Sequence, residues 1–284
     1  MSFTNGESWV VLSEIEQRIK AKIEAIGTPL KDWDINIYRG VLTGFNEAFI
    51  INGQKKDEIL ANCKEDAERI KTDELIRPIL RGRDIKRYSY EFADLWLINT
   101  HNGLKEKDIK PINIDDYPAV KQHLDKYFPQ LEKRQDKGDT PYNLRNCAYI
   151  EDFYKQKIIY PNMTKYMPFY LDNKNFYTNQ KCFIITGKNI GFLTAFLNSS
   201  LFKYCYIDNF PKLGEKGREL SKIFFDKISV IQPNNDVEKQ FLSAVISIQE
   251  QYTKEKVLAI DKMIFDIYNL SQKEREIIGF IEIE

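Results

Sequence analysis

The chain has 284 residues, of which 43% are hydrophobic and 30% charged, with 13 glycines and 10 prolines. This composition excludes disordered, collagen-like and low-complexity classes and leaves room for one large domain or two ordinary ones. Lysine plus arginine and aspartate plus glutamate each number 42, so net charge alone gives no argument for a polyanionic partner.

The longest uncharged stretch, Asn189 to Phe202, contains Asn198, Ser199 and Ser200 and is too short and too polar to span a bilayer. No basic region followed by an apolar run opens the sequence, so the expected compartment is the cytoplasm. Cys63, Cys147, Cys182 and Cys205 form no CxxC pair and read as reduced, mostly buried thiols. Charge is unevenly spread. Arg77 to Arg87 holds five basic residues against Asp84, and Phe153 to Ile190 holds six against Asp172, whereas Asp236 to Glu284 holds six basic residues and ten acids. A polyanion-facing surface is therefore compatible with a neutral chain.

In chain order, Ser8 reads as an N-cap for a helix whose Leu12, Ile15, Ile19, Ile23 and Ile26 recur at steps of three and four, with Gly27 at its end. Ile35 and Ile37, then Phe49 and Ile51, alternate as two strands joined through Gly40 to Asn46. Asp57 to Lys71 reads as a helix, Arg77 to Arg87 as a basic loop broken by Pro78 and Gly82, and Asp94 to Thr100 as a buried strand. Pro118 opens a helix carrying Val120, Leu124, Tyr127 and Leu131, which Pro129 must kink or end. Gln135 to Arg145 is a polar loop. Short apolar pieces between Ile158 and Thr186 suggest a bent sheet, with Asp172 to Asn175 as a polar turn. Asn189 to Ile207 reads as one core helix and Phe224 to Ile231 as a strand. Val237, Phe241, Val245, Ile248 and Tyr252, then Ile260, Ile264, Ile267 and Tyr268, form apolar stripes, and Ser271 with Glu274 is a capping box for a last helix. The expected fold is α+β: an irregular mixed sheet over residues 30–233, an N-terminal helix over 1–29 and a C-terminal helical segment over 234–284.

Chemistry-bearing clusters are sparse. His101 and His123 stand apart and read as structural or surface residues. Gly40 and Gly44 lack the GK[ST] of a phosphate loop. Asp152, Asp172 and Lys174 follow the order of a metal-dependent nuclease, which keeps Mg²⁺-assisted DNA cleavage as an alternative. An adenine methyltransferase needs an Asn-Pro-Pro-aromatic tetrapeptide, and the chain has Tyr160-Pro-Asn-Met163 instead. No catalytic and no metal-binding residue is therefore assigned. Three basic clusters remain. Arg81, Arg83, Lys86 and Arg87 lie among Pro78, Gly82 and Tyr88; Asn162, Lys165 and Tyr166 precede Asn179, Gln180 and Lys181; and Lys212 lies near Lys216 and Arg218. Guanidinium forks, amides and ammonium groups in such stretches suit phosphates and base edges, and together the clusters favour nucleic acid. A helical scaffold that docks a partner through its acidic C-terminal helices is a further alternative.

Five blocks carry a resemblance: Ile37-Tyr-Arg-Gly-Val-Leu-Thr-Gly-Phe-Asn-Glu-Ala-Phe49, Ile79-Leu-Arg-Gly-Arg-Asp-Ile-Lys-Arg-Tyr88, Lys157-Ile-Ile-Tyr-Pro161, Leu197-Asn-Ser-Ser200 and Ile260-Asp-Lys-Met-Ile-Phe-Asp-Ile-Tyr-Asn-Leu270. In that order they resemble the TaqI-like C-terminal specificity domain, the target-recognition part of adenine-N6 DNA methyltransferases and type IIG restriction-modification enzymes, over about Leu30 to Ile278. The resemblance implies a non-catalytic module that binds double-stranded DNA beside a methyltransferase domain in cis or in trans. The parent enzyme would use S-adenosylmethionine, and Mg²⁺ if it carries a nuclease, and the chain itself would hold no cofactor. Thr43, Asn46, Arg81, Arg83, Lys86 and Arg87 are the DNA-facing positions this implies, with Gly40, Gly44 and Gly82 serving backbone geometry. The start at Met1, followed directly by a helix, suggests a fragment of a longer polypeptide.

Overall fold

The computed structural model describes residues 14–214 and 217–280, so the Ser8 cap, Leu12 and Lys216 lie outside the described residues. The chain forms two compact units. One takes in residues up to Ile35, Met163–Met167 and everything from Gly187 onward; the other takes in Asn36–Asn162 and Pro168–Thr186. The N-terminal and C-terminal lengths of sequence thus belong to the same unit. The fold is mixed α+β, as expected.

The second unit is built on two four-stranded sheets. In one, the order is Tyr170–Asp172, Lys157–Pro161, Cys182–Gly187, Ile35–Arg39; in the other it is Tyr177–Thr178, Ile76–Leu80, Leu95–Ile98, Ile50–Asn52. Tyr177–Thr178 runs parallel to Ile76–Leu80, whereas Lys157–Pro161 is antiparallel to both Tyr170–Asp172 and Cys182–Gly187, and Leu95–Ile98 to both Ile76–Leu80 and Ile50–Asn52. The apolar faces meet helices Gly53–Ala61 and Pro118–Asp125 in a core that includes Phe49, Ile79, Leu97, Val120, Leu124 and Ile159.

The basic stretch Arg77 to Arg87 is not the loop expected. It forms strand Ile76–Leu80, a single 3-10 turn Gly82–Asp84 and strand Ile85–Lys86. Pro78 is tolerated because it pairs with Trp96 at the end of the antiparallel ladder, where a missing N–H costs little. The predicted strand after Gly40 to Asn46 is also corrected. A helical turn Asn46–Phe49 comes first, and the strand is Ile50–Asn52. The single helix expected over Asp57 to Lys71 is two, Gly53–Ala61 and Asp66–Leu75; the Asn52 side chain accepts from Lys55 N, which starts the first one early. Pro129 ends one helix and lies in the first turn of the next, Phe128–Lys133, where its missing N–H has no helical partner to lose.

The first unit is mostly helical. Asn189 to Ile207 divides into Ile190–Leu197 and Ser200–Tyr206 because Ser199 accepts from Phe202 N and donates to Phe196 O, closing one helix and opening the other. Ser200 is held in turn by Asp261, which accepts from its amide and its hydroxyl at 2.8 and 2.7 Å. The strand expected over Phe224 to Ile231 is a helical turn Lys222–Phe225 followed by Ser229–Val230, which pairs with Thr28–Pro29. Helices Asn235–Glu250 and Lys254–Ile267 bury the predicted Phe241, Val245, Ile248, Ile260, Ile264 and Tyr268, while Tyr252 stays exposed beyond the end of the first.

The capping box at Ser271 is present and does more than start Gln272–Ile278. Glu274 is buried, accepts from Ser271 N at 2.7 Å, and pairs with Lys22 at 2.9 Å and Arg18 at 3.4 Å on helix Glu14–Ile26. Burial pushes its carboxyl upward, but Lys22 and the Ser271 amide and hydroxyl outweigh this and hold it at about 2. A carboxyl whose pKa is lower folded than unfolded stabilises above its ordinary 4.5 and loses that contribution as pH falls through the folded value. Glu274→Gln is expected to cost about 2 kcal/mol at neutral pH, after discounting for the half-exposed Lys22. Urea unfolding of both proteins should show this gap closing as pH falls from about 4.5 towards 2.

Candidate nucleic-acid interface

The predicted positions fall into three settings. Asn46, Arg83, Lys86, Lys181, Lys165, Tyr166 and Lys212 are exposed, and Asn162 and Gln180 are half-buried. Thr43 at 1% exposure and Arg87 at 7% lie inside, with Asn179. Arg81 is committed to its own turn: Asp84 accepts from its Nε at 2.9 Å and its NH2 at 2.8 Å, a bidentate fork, and also from its backbone N–H. Asp84 thereby raises the Arg81 pKa. Lys86 pairs with Glu91 at 3.4 Å on the surface. Thr43 Oγ1 donates to Asn46 Oδ1 at 2.6 Å.

Four stretches far apart in sequence converge in the second unit. The turn Asn179 to Cys182, closed by Cys182 N to Asn179 O at 3.0 Å, joins the two sheets. Asn179 Oδ1 accepts from Lys181 N, which shapes its tip. Gly40 N donates to Cys182 O and Val41 N to Thr178 O; a Cβ at Gly40 would sit 2.1 Å from Asn179 O, so only glycine permits this approach. Asn162 N donates to Lys181 O at 2.8 Å, and Gly82 packs against Pro161 and Lys181 O. Arg39 Nε donates to Gln180 O at 2.9 Å. Arg39, Arg83, Asn162, Gln180 and Lys181 thus project from neighbouring backbone segments. Arg39 was missed in the sequence because it lies outside both basic windows, although it stands beside the glycine that makes the contact.

Lys165, Tyr166 and Lys212 belong to the other unit. There Met163–Thr164 pairs with Arg218–Glu219, and Lys212 bridges to Arg218, forming a small ribbon.

The nuclease-like trio is dispersed. Asp172 is fully buried against Lys157, Asp152 accepts from Thr186 and Lys155, and Lys174 reaches Tyr90 OH. Among the described residues no group of three or more His, Cys, Asp and Glu side chains is placed to hold a metal ion. His123 is buried and bonded to Ala48 O, and His101 Nδ1 accepts from Gly103 N, both structural settings. Among the described residues no helix is long and apolar enough to cross a membrane.

Arg39, Arg83 and Lys181, on strand ends and tight turns, give this α+β unit a basic edge. The chain belongs to the TaqI-like C-terminal specificity domain family, which matches it over residues 77–229. The first and last of the five sequence blocks lie outside that match. The type II methyltransferase M.MjaIV of Methanocaldococcus jannaschii is 28% identical over 242 residues, 81% of this chain and 70% of the relative. The fold is similar to that of the type IIL restriction-modification enzyme MmeI, whose structure is a complex with DNA, with a TM-score of 0.58, 12% identity and 87% of this chain covered. The type IIG restriction endonuclease BpuSI aligns with a TM-score of 0.49, 13% identity and 90% of this chain covered. The chain spans 34% of each of these solved enzymes.

Proposed function

We propose that the chain reads duplex DNA sequence on behalf of an adenine-N6 methyltransferase, in cis or in trans, and performs no catalysis itself. The observation that carries this reading is the convergence of Arg39, Arg83, Asn162, Gln180 and Lys181 at one edge of a member of a specificity-domain family. Amides and guanidinium forks side by side are the pair of chemistries that base edges and phosphates require. In this reading Asn46, Arg83, Lys86, Asn162, Gln180 and Lys181 face the duplex, and Thr43, Arg81, Arg87 and Asn179 hold the backbone that presents them. Lys165, Tyr166 and Lys212 supply a separate set of contacts from the other unit. S-adenosylmethionine belongs to the methyltransferase, as does Mg²⁺ to any nuclease in the parent enzyme.

Selection from a random duplex pool by the purified chain tests the proposal, since it should enrich one short motif. Arg83→Ala with Lys181→Ala should weaken binding to that motif and reduce the slope of log affinity against log salt by about 2, one for each lost phosphate contact. A pool that stays random, or a slope unchanged by the double substitution, counts against it.

A further inference from the structure

Beyond the edge described above, the second unit carries an aromatic surface that duplex reading leaves unused. Tyr38 and Tyr149 stack almost parallel, with ring centroids 4.2 Å apart and 3° between planes. Tyr149 lies 6.3 Å from Phe153, which itself stacks on Tyr177 at 4.5 Å and 9°. Tyr154 is 50% exposed and meets the Tyr177 ring edge-on, with centroids 6.0 Å apart. Its orientation is fixed nonetheless. Tyr177 OH donates to Tyr154 OH at 3.2 Å, Asn99 Nδ2 donates to Tyr177 OH at 3.1 Å, and the Arg77 guanidinium lies 5.4 Å from the Tyr154 ring centroid. Tyr149 is fixed in the same way, its hydroxyl donating to Arg39 O at 2.8 Å.

Cations surround these rings. Arg39, Arg145 and Lys155 are all exposed; Arg39 and Arg145 oppose the burial that raises the Tyr149 pKa, and Asp152, with a smaller contribution from Tyr38, raises that of Lys155. Carboxylates face them as well: Asp136 pairs with Arg145 at 3.1 Å, Asp152 with Lys155 at 2.9 Å, and Glu151 with Lys107. Arg39 joins this surface to the Gln180 and Lys181 turn through its bond to Gln180 O. Oriented rings interleaved with arginine and lysine are the make-up of a platform for unstacked bases, each of which offers a π-face whatever its identity.

We propose that the Tyr38, Tyr149 and Tyr154 surface stacks an unpaired DNA base. This rests on the DNA reading above and adds to it a site for bases that have left the double helix. Such a base comes either from a duplex opened at its target or from a free single strand.

The test uses the full chain and four probes: oligodeoxythymidylate, oligodeoxyadenylate, a mixed-sequence duplex, and the same duplex with one bulged adenine. The bulged duplex should bind about tenfold more tightly than the intact one. Tyr38→Ala and Tyr154→Ala should each abolish that preference and leave intact-duplex binding unchanged, whereas Tyr154→Phe, which keeps the ring, should retain it. Tyr38→Leu keeps apolar bulk and replaces the alanine variant if that one melts early. Single strands bound as tightly as the bulge assign the site to free strands; binding of the bulge alone assigns it to a base expelled from a duplex. Equal affinity for bulged and intact duplex, or a preference that survives in folded variants, overturns the platform alone. Failure to bind any of the four probes overturns it together with the DNA reading.

Discussion

Replacing Lys157 with methionine is expected to destabilise the fold by about 3 to 5 kcal/mol, measured by urea unfolding. Lys157 and Asp172 are direct cross-strand partners, both 0% exposed, with Nζ 2.6 Å from the carboxylate. Lys157 Nζ also donates to Phe153 O at 2.7 Å, and Asp172 accepts from Lys174 N at 2.9 Å and Phe176 N at 3.0 Å. Burial pulls the lysine pKa down, and Asp172 opposes that pull. Removing the ammonium alone leaves a carboxylate out of water with two neutral donors and no countercharge, which is why the single substitution is severe. Lys157→Met combined with Asp172→Asn should cost much less than the sum of the two single changes, because the amide needs no countercharge and can still accept from a backbone N–H. A single-variant loss under about 1 kcal/mol would show that water reaches the pair.

Arg134→Met should cost about 3 kcal/mol, and Arg134→Lys should recover only part of it. The guanidinium is buried, donates to the carbonyls of Thr43, Asp136, Pro141 and Asn143, and lies 4.5 Å from the Phe49 ring centroid. Burial lowers its pKa to about 10, and Asp136 opposes the shift. A planar fork reaches four acceptors on two loops at once, whereas an ammonium offers three donors from a single point. The loops so joined are Gly40 to Asn46 and Gln135 to Arg145. Native-state hydrogen exchange should therefore accelerate in Arg134→Met at the amides of Gly44 to Asn46 more than in strand Lys157–Pro161, which the residue does not touch. Uniform acceleration across the unit would mean that Arg134 contributes to global stability without holding these loops in particular.

Arg134 also marks the limit of what could be read along the chain. It lies in a polar stretch next to Gln135, and nothing in its neighbourhood distinguishes it from a solvated surface arginine. The same holds for Arg87 and Thr43, which look like surface residues of a basic loop and a glycine turn and are buried. Asp172 reads as a turn residue and is a buried half of an ion pair. Arg134 reaches the Thr43 carbonyl 91 residues earlier and Asp172 meets Lys157 across the sheet, and a side chain's burial depends on what the rest of the chain packs against it.

Local signals fared better where their physics is local. The Ser271 and Glu274 cap, the stripes through Phe241 to Ile248 and Ile260 to Tyr268, the helix opened by Pro118, and the α+β class follow from hydrogen bonds and periodicities spanning three or four residues. They are fixed by which residues stand next to which. The break at Ser199 and the turn at Lys222–Phe225 are local too, and were obscured by apolar runs that fit helix and strand alike.

The family was legible in the sequence, and three of the five ordered blocks lie within the matched residues 77–229. The arrangement of the candidate surface required the tertiary structure. Gly40, Gly82, Asn162 and the Asn179 to Cys182 turn meet through backbone contacts that close loops of up to about 140 residues, and Arg39 joins them only there. Which cations stay in water and which are spent inside is settled by those long-range pairings, since a guanidinium has the same chemistry in either place and only its surroundings decide its partner.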